Sequence, residues 1–212
     1  VLVRLLFINA LSFGLLMAYL SAAPFVLRNV LGMGTVAYTA VFGLCGATVT
    51  VTIAVAASLV RRFPQARQVR GGLIAGLVVD TVFAGVCLTW LREPVTGPER
   101  IPLLVVVVAL FLAHVACLGL SMGNAPALAL DRTGRWAGTG SALLGFLQFV
   151  IGGLVSPLVG LTGEASGVAF GVVIVAVGAV ANVLALFGLC ERGEKQHLAA
   201  QASERRQQRL GQ

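Results

Sequence analysis

IPLLVVVVALFLAHVACLGLSMGNAPALAL, residues 101–130, contains no Asp, Glu, Lys or Arg. About 20 apolar residues are enough for a helix to cross roughly 30 Å of hydrocarbon, and this run exceeds that length. Five more stretches share its character: residues 5–27, 29–60, 71–91, 136–163 and 165–190, with Asp80 the single charge inside them. The runs are continuous rather than alternating, which favours helices, whose backbone groups are satisfied within each segment, over barrel strands. The sequence therefore predicts an all-α membrane protein with six transmembrane helices. The expected spans are about 5–27, 36–60, 71–91, 102–128, 137–161 and 166–190. They form one bundle over 1–190, followed by a polar cytoplasmic tail over 191–212.

Composition agrees. Hydrophobic residues make up 58% of the 212 and charged residues 11%, with a mean hydropathy of +0.96. Soluble domains carry about 25% charged residues because their surface faces water. The missing polar surface is explained if lipid is the solvent for most of the chain.

The net charge of +7 is a matter of topology. Twelve of the fifteen Lys and Arg fall on one side when the connections are assigned alternately. These are Arg4, Arg61, Arg62, Arg67, Arg70, Arg132, Arg135, Arg192, Lys195, Arg205, Arg206 and Arg209; only Arg28, Arg92 and Arg100 fall on the other. By the positive-inside rule both ends are expected in the cytoplasm, and a nucleic-acid partner is not. Cys45, Cys87, Cys117 and Cys190 are scattered in apolar runs with no CxxC pair, so neither a disulfide framework nor a zinc site is expected. No P-loop or HExxH occurs, and no cofactor is expected. The chain opens on Val1, and Arg4 precedes an apolar run longer than a signal-peptide core, so the reading is of a portion of a longer protein.

Glycine is abundant, at 26 residues. Gly72-Leu-Ile-Ala-Gly76 and Gly167-Val-Ala-Phe-Gly171 match the small-xxx-small pattern that lets membrane helices approach closely, and they are read as helix contacts.

Three stretches carry a family resemblance: YLSAAPFVL (19–27), GLSMGNAPALAL (119–130) and GTGSALLGFLQFVIGGLVSPLVGL (138–161). In this order and spacing they resemble the C-terminal half of Bcr/CflA-type drug-resistance transporters of the major facilitator superfamily. The resemblance extends to Cys190 and is most specific in the third stretch, where Ser-Ala-Leu-Leu-Gly, Gln148 and Ser-Pro-Leu occur together. The chain departs from the pattern at Ala22-Ala23-Pro24, where a serine commonly precedes the proline. The resemblance implies helices seven to twelve of a twelve-helix fold, paired with an N-terminal six-helix half. It also implies a multi-pass protein of the plasma (bacterial inner) membrane exporting drugs or small metabolites against protons. Superfamily halves contain inverted three-helix repeats, and Ser21-Ala-Ala-Pro24 is echoed by Ser121 with Ala125-Pro126.

Polar groups within spans are costly and each needs a partner, a wet cavity or a task. Asp80 lies on a face with Gly72, Gly76 and Ala84. It is read either as a proton carrier, since burial makes an acid hold its proton more tightly, or as a hydrogen bond between helices. The resemblance favours the second reading, because the third helix of each repeat lies outside the central cavity. His114 heads a stripe through Cys117, Ser121 and Asn124 on a helix whose family equivalent lines the cavity. Histidine titrates near neutrality, so proton coupling and a simple hydrogen bond are both open. Asn9, Ser12 and Tyr19 form a stripe on the first span; Ser141, Gly145, Gln148, Gly152 and Ser156 form one on the fifth. Asn9, Tyr19, His114, Asn124 and Gln148 are thus expected to line a cavity or bind substrate, and Asp80 and His114 to couple protons.

A membrane enzyme is the alternative from another class. Gly119-Leu-Ser121-Met-Gly123 matches G-x-S-x-G by letter, but that motif needs a strand–turn–helix setting, so the match is read as chance and no catalytic residue is assigned. A six-span structural or dimeric membrane protein is the third reading.

Overall fold

The computed structural model describes residues 2–131, 133, 136–161 and 166–186. The expected tail over 191–212 and the end of the last span lie outside them, as do Arg132 and Arg135. Six helices are long and apolar enough to cross a membrane, and no strand occurs among the described residues. They are α1 (Leu2–Pro24, continuing through Phe25–Val30), α2 (Thr35–Leu59), α3 (Gln65–Thr89), α4 (Arg100–Leu130), α5 (Ala137–Leu158) and α6 (Val168–Leu186).

Pro24 has no N–H to donate, and beyond it α1 widens into the π-helical turn Phe25–Val30. The helix so carries on past the expected boundary at 27. It ends at Gly32, whose φ of +59° lies in the left-handed region that glycine enters without penalty. The Arg100 side chain donates from Nε to the Leu31 carbonyl (2.6 Å) and from Nη2 to the Gly32 carbonyl. A cation is thereby placed on the negative end of α1. Val95 N–H donates to Val30 O (2.9 Å) and Gly167 N–H to Leu91 O (2.7 Å), tying three connections together at this end.

At the opposite end α3 starts at Gln65, earlier than the span expected from 71. Pro64 stands just before the helix, where its missing N–H is harmless. Arg67 and Arg70 thus belong to the helix, their exposed side chains free to reach water from its first turns.

The helices differ in how much of them the bundle covers. In the most apolar segment of α1, 67% of residues are buried, against 11% in α2 and 17% in α5, so α1 is central and the other two are peripheral. The threonines of α2 suit an uncovered helix. Thr39, Thr48 and Thr50 each return their hydroxyl to the carbonyl four residues back, at 2.9, 2.8 and 3.0 Å, so these donors are satisfied within the helix.

Glycine sets the close approaches. A Cβ on Gly152 of α5 would sit 2.8 Å from Met17 Cγ of α1, and one on Gly119 of α4 would sit 2.7 Å from Thr52 Cβ of α2. The pairs read as helix contacts behave so: Gly72 and Gly76 face Cys117 of α4, while Gly167 and Gly171 face Cys87 of α3 and Gly167 also meets Leu91 just beyond it.

Candidate functional site

α3 and α4 run antiparallel and meet along one polar seam. Residues 68, 72, 76 and 80 climb α3 in four-residue steps, and 124, 121, 117 and 114 descend α4 in steps of three and four, so the two rows share one interface. At one end the Asn124 amide donates to Gln68 Oε1 (3.2 Å). In the middle, a Cβ on Gly72 would be 3.0 Å from Ser121 Oγ, and one on Gly76 would be 3.5 Å from Cys117 Cβ. At the far end His114 Nδ1 and Asp80 Oδ1 are 2.5 Å apart, and both side chains are only 1% exposed.

One turn beyond that pair the seam becomes aromatic. Phe83 and Phe111 meet edge to face at 4.8 Å, and Phe170 of α6 meets Phe83 at 5.2 Å. These rings close the polar pair off from the end where Arg100 sits. From the side, Gly178 of α6 makes room for the carboxylate: a Cβ there would be 3.3 Å from Asp80 Oδ2.

Chemically the pair holds one proton between a carboxyl oxygen and a ring nitrogen. Either the ring N–H donates to the carboxylate, or the carboxyl O–H donates to the ring. The short separation between two side chains each 1% exposed is that of a strong hydrogen bond. His114 Nε2 and Ser121 Oγ are buried without a hydrogen-bond partner among the described residues. Both residues line a cavity of about 10 Å³ with Asp80, Cys117 and Asn182, which is the room one water needs. The seam combines a proton-holding pair with an adjoining space for a single polar molecule.

The other residues singled out in the sequence lie elsewhere in the bundle. Asn9 and Ser12 are fully buried in α1. Ser12 donates to Ile8 O (2.9 Å), while neither amide atom of Asn9 has a partner among the described residues. Tyr19 is buried, stacked on Phe42 of α2 at 6.0 Å and edge to face with Phe111 at 5.3 Å. Gln148 is half-buried on α5, between the exposed Phe146 and Phe149. On the same stripe Ser156 pairs with Ser21 of α1 at 2.5 Å.

Ser121 of the G-x-S-x-G match is inside a membrane helix, and the two glycines serve α2: a Cβ on Gly123 would meet Ile53 and Ala56 at 3.5 to 3.7 Å. Those glycines are explained by packing.

Two residues of the site escaped the sequence reading. Gln68 is one four-residue step before Gly72, so extending the Gly72–Gly76–Asp80 face by a turn would have found it. Asn182 is a lone amide in the last apolar run, and it donates to Leu73 O of α3 and Gly178 O, both at 2.9 Å.

Among curated proteins the chain is similar to the uncharacterized MFS-type transporter YdgK of Bacillus subtilis (strain 168), with 31% identity over 172 residues. The match covers 81% of this chain, and the chain spans about 40% of that relative's length. No family model matches the chain, and no solved structure does.

Proposed function

We propose that this chain is the C-terminal six-helix half of a major facilitator transporter of the Bcr/CflA type. In this reading it exports drugs or small metabolites in exchange for protons from the bacterial inner membrane, with both ends of the segment in the cytoplasm. The similarity to an MFS-type transporter and the six apolar helices support the transport reading. α2 and α5 carry the apolar surface a second half would cover, including Val36, Leu44, Val51 and Val55 on α2 and Phe146, Phe149 and Leu154 on α5. Alternating access then works by rocking one six-helix half against the other.

The observation that carries the proton part is the Asp80–His114 pair. A proton gained or lost by such a pair changes its net charge. A charge change buried between α3, α4 and α6, with room beside it for no more than about one water, is poorly solvated, so it favours helix arrangements that admit more water. Substrate contact is assigned to Gln148, half-buried on α5 near the exposed Phe146 and Phe149, while the fully buried Asn9 is assigned a place behind the cavity wall. Tyr19 and Asn124 contribute through their neighbours.

The test uses the full-length protein in cells loaded with a fluorescent dye. Asp80→Asn keeps the shape and hydrogen bonding of the side chain and removes the titrating group. It is expected to abolish uncoupler-sensitive efflux at unchanged membrane abundance. Gln148→Ala is expected to shift the dye concentration at half-maximal efflux. The residues 1–212 expressed alone should not lower dye accumulation. Normal efflux by both variants would sink the site assignment, and efflux by 1–212 alone would favour a self-sufficient six-span or dimeric protein.

A further inference from the structure

At the end of the bundle opposite Arg100, a groove of about 220 Å³ lies between the last turn of α2, the first two turns of α3 and the flank of α4. Its walls are Leu59, Phe63 and Leu120, with the backbone of Gly71 as an open floor: a Cβ there would meet nothing within 4 Å. The amide of Gln68, at its edge, is engaged, donating to Phe63 O (3.2 Å) and accepting from Asn124. That leaves Arg67 as the one charged side chain on the groove. Arg61, Arg62 and Arg70 are exposed near it in sequence, and none of these four arginines has an acidic partner among the described residues.

The two halves of this feature call for opposite chemistry. Unpaired guanidinium groups at the end of a membrane helix attract an oxyanion, which they bind through paired N–H donors. An apolar slot beside them, at the depth where a span begins, is filled favourably by hydrocarbon. A molecule with an anionic head on an acyl chain satisfies both at once, and basic pockets between membrane helices are where such headgroups bind. A soluble phosphate would leave the slot empty, and an apolar helix of another protein would leave the arginines without a counter-charge. We infer that the groove is a binding site for an anionic phospholipid, with one acyl chain between Leu59, Phe63 and Leu120 and the phosphate on Arg67, steered by Arg61, Arg62 and Arg70. The site is separate from the Asp80–His114 seam and stands whether or not the transport reading does.

The experiment is native mass spectrometry of the full-length protein in detergent, titrated with phosphatidylglycerol, with phosphatidylethanolamine of the same acyl chains, or with glycerol phosphate. Phosphatidylglycerol should be retained in preference to phosphatidylethanolamine. Arg67→Gln should weaken that retention about fivefold, the worth of one basic residue at an anionic surface. Gly71→Leu fills the open floor while improving helix propensity, so it should fold and lose the bound lipid. Arg92→Gln, at the other end of the bundle, should bind as the wild type does. Equal retention of the two lipids, displacement by glycerol phosphate, unchanged binding by both Arg67→Gln and Gly71→Leu, or a dimer that Gly71→Leu disrupts would each overturn the assignment.

Discussion

Replacing His114 by alanine strips a partner from Asp80 at a place where each side chain is 1% exposed and the contact is 2.5 Å. Two magnitudes compete. A buried carboxylate left charged and alone costs about 3–5 kcal/mol. An uncharged polar group left buried without a partner costs about 1–3 kcal/mol. Removing the ring also forfeits packing against the α3 and α6 side, and that loss is common to the single and double mutants, so a double-mutant cycle removes it. What remains is the coupling between the two side chains. Polar pairs between membrane helices average about 0.6 kcal/mol with a maximum near 1.7, because the unfolded chain in the membrane also finds partners. Asp80 and His114 belong at the top of that range. The contact is short, and His114 Nε2 has no second partner among the described residues to absorb the loss. The expected coupling from Asp80→Ala, His114→Ala and the double variant is about 1.5 kcal/mol, roughly a tenfold change in an equilibrium constant. It is read by reversible unfolding in mixed micelles at pH 7. A coupling under about 0.5 kcal/mol would refute the idea that the pair is a closed, strong hydrogen bond.

Two further expectations concern packing. Gly171→Leu puts a branched side chain where even a Cβ would be 2.9 Å from Cys87 Cβ and 3.0 Å from Ala84 Cα, so unfolding in micelles should show a loss of about 1–3 kcal/mol. Gly145→Leu, where a Cβ meets nothing within 4 Å, should be neutral or slightly stabilising in the same assay. Arg100→Gln releases the Leu31 and Gly32 carbonyls at the end of α1. Because the arginine is partly exposed, the cost should be only about 1 kcal/mol, with faster amide hydrogen exchange confined to residues 27–33 as its signature.

Finding a membrane helix and orienting it draw on different information. The six spans were readable because the hydrocarbon thickness fixes how many uncharged residues a crossing needs, and the chain supplies six such runs. α3 begins before the span expected from 71, because hydropathy counts only the uncharged run, whereas a helix can carry arginines such as 67 and 70 on its first two turns and let their side chains reach water. The roles of Gly72, Gly76, Gly167 and Gly171 were readable as contacts from their spacing. Which helix each one meets was not.

From composition, run length and the placement of arginines, the sequence alone determined an all-helical chain of six membrane-length spans. It also marked the polar residues those spans must accommodate, including Asp80 and the stripe from His114 to Asn124. Only the tertiary structure decided that these two sets face each other, with Asp80 on His114 and Gln68 on Asn124. The reason is physical. These helices are apolar nearly all the way round, so hydropathy does not say which side turns inward. Their rotation and register come from close packing at glycines and from polar partners far apart in sequence. Asp80 and His114 are 34 residues apart, and only the antiparallel register of α3 and α4 makes them one site.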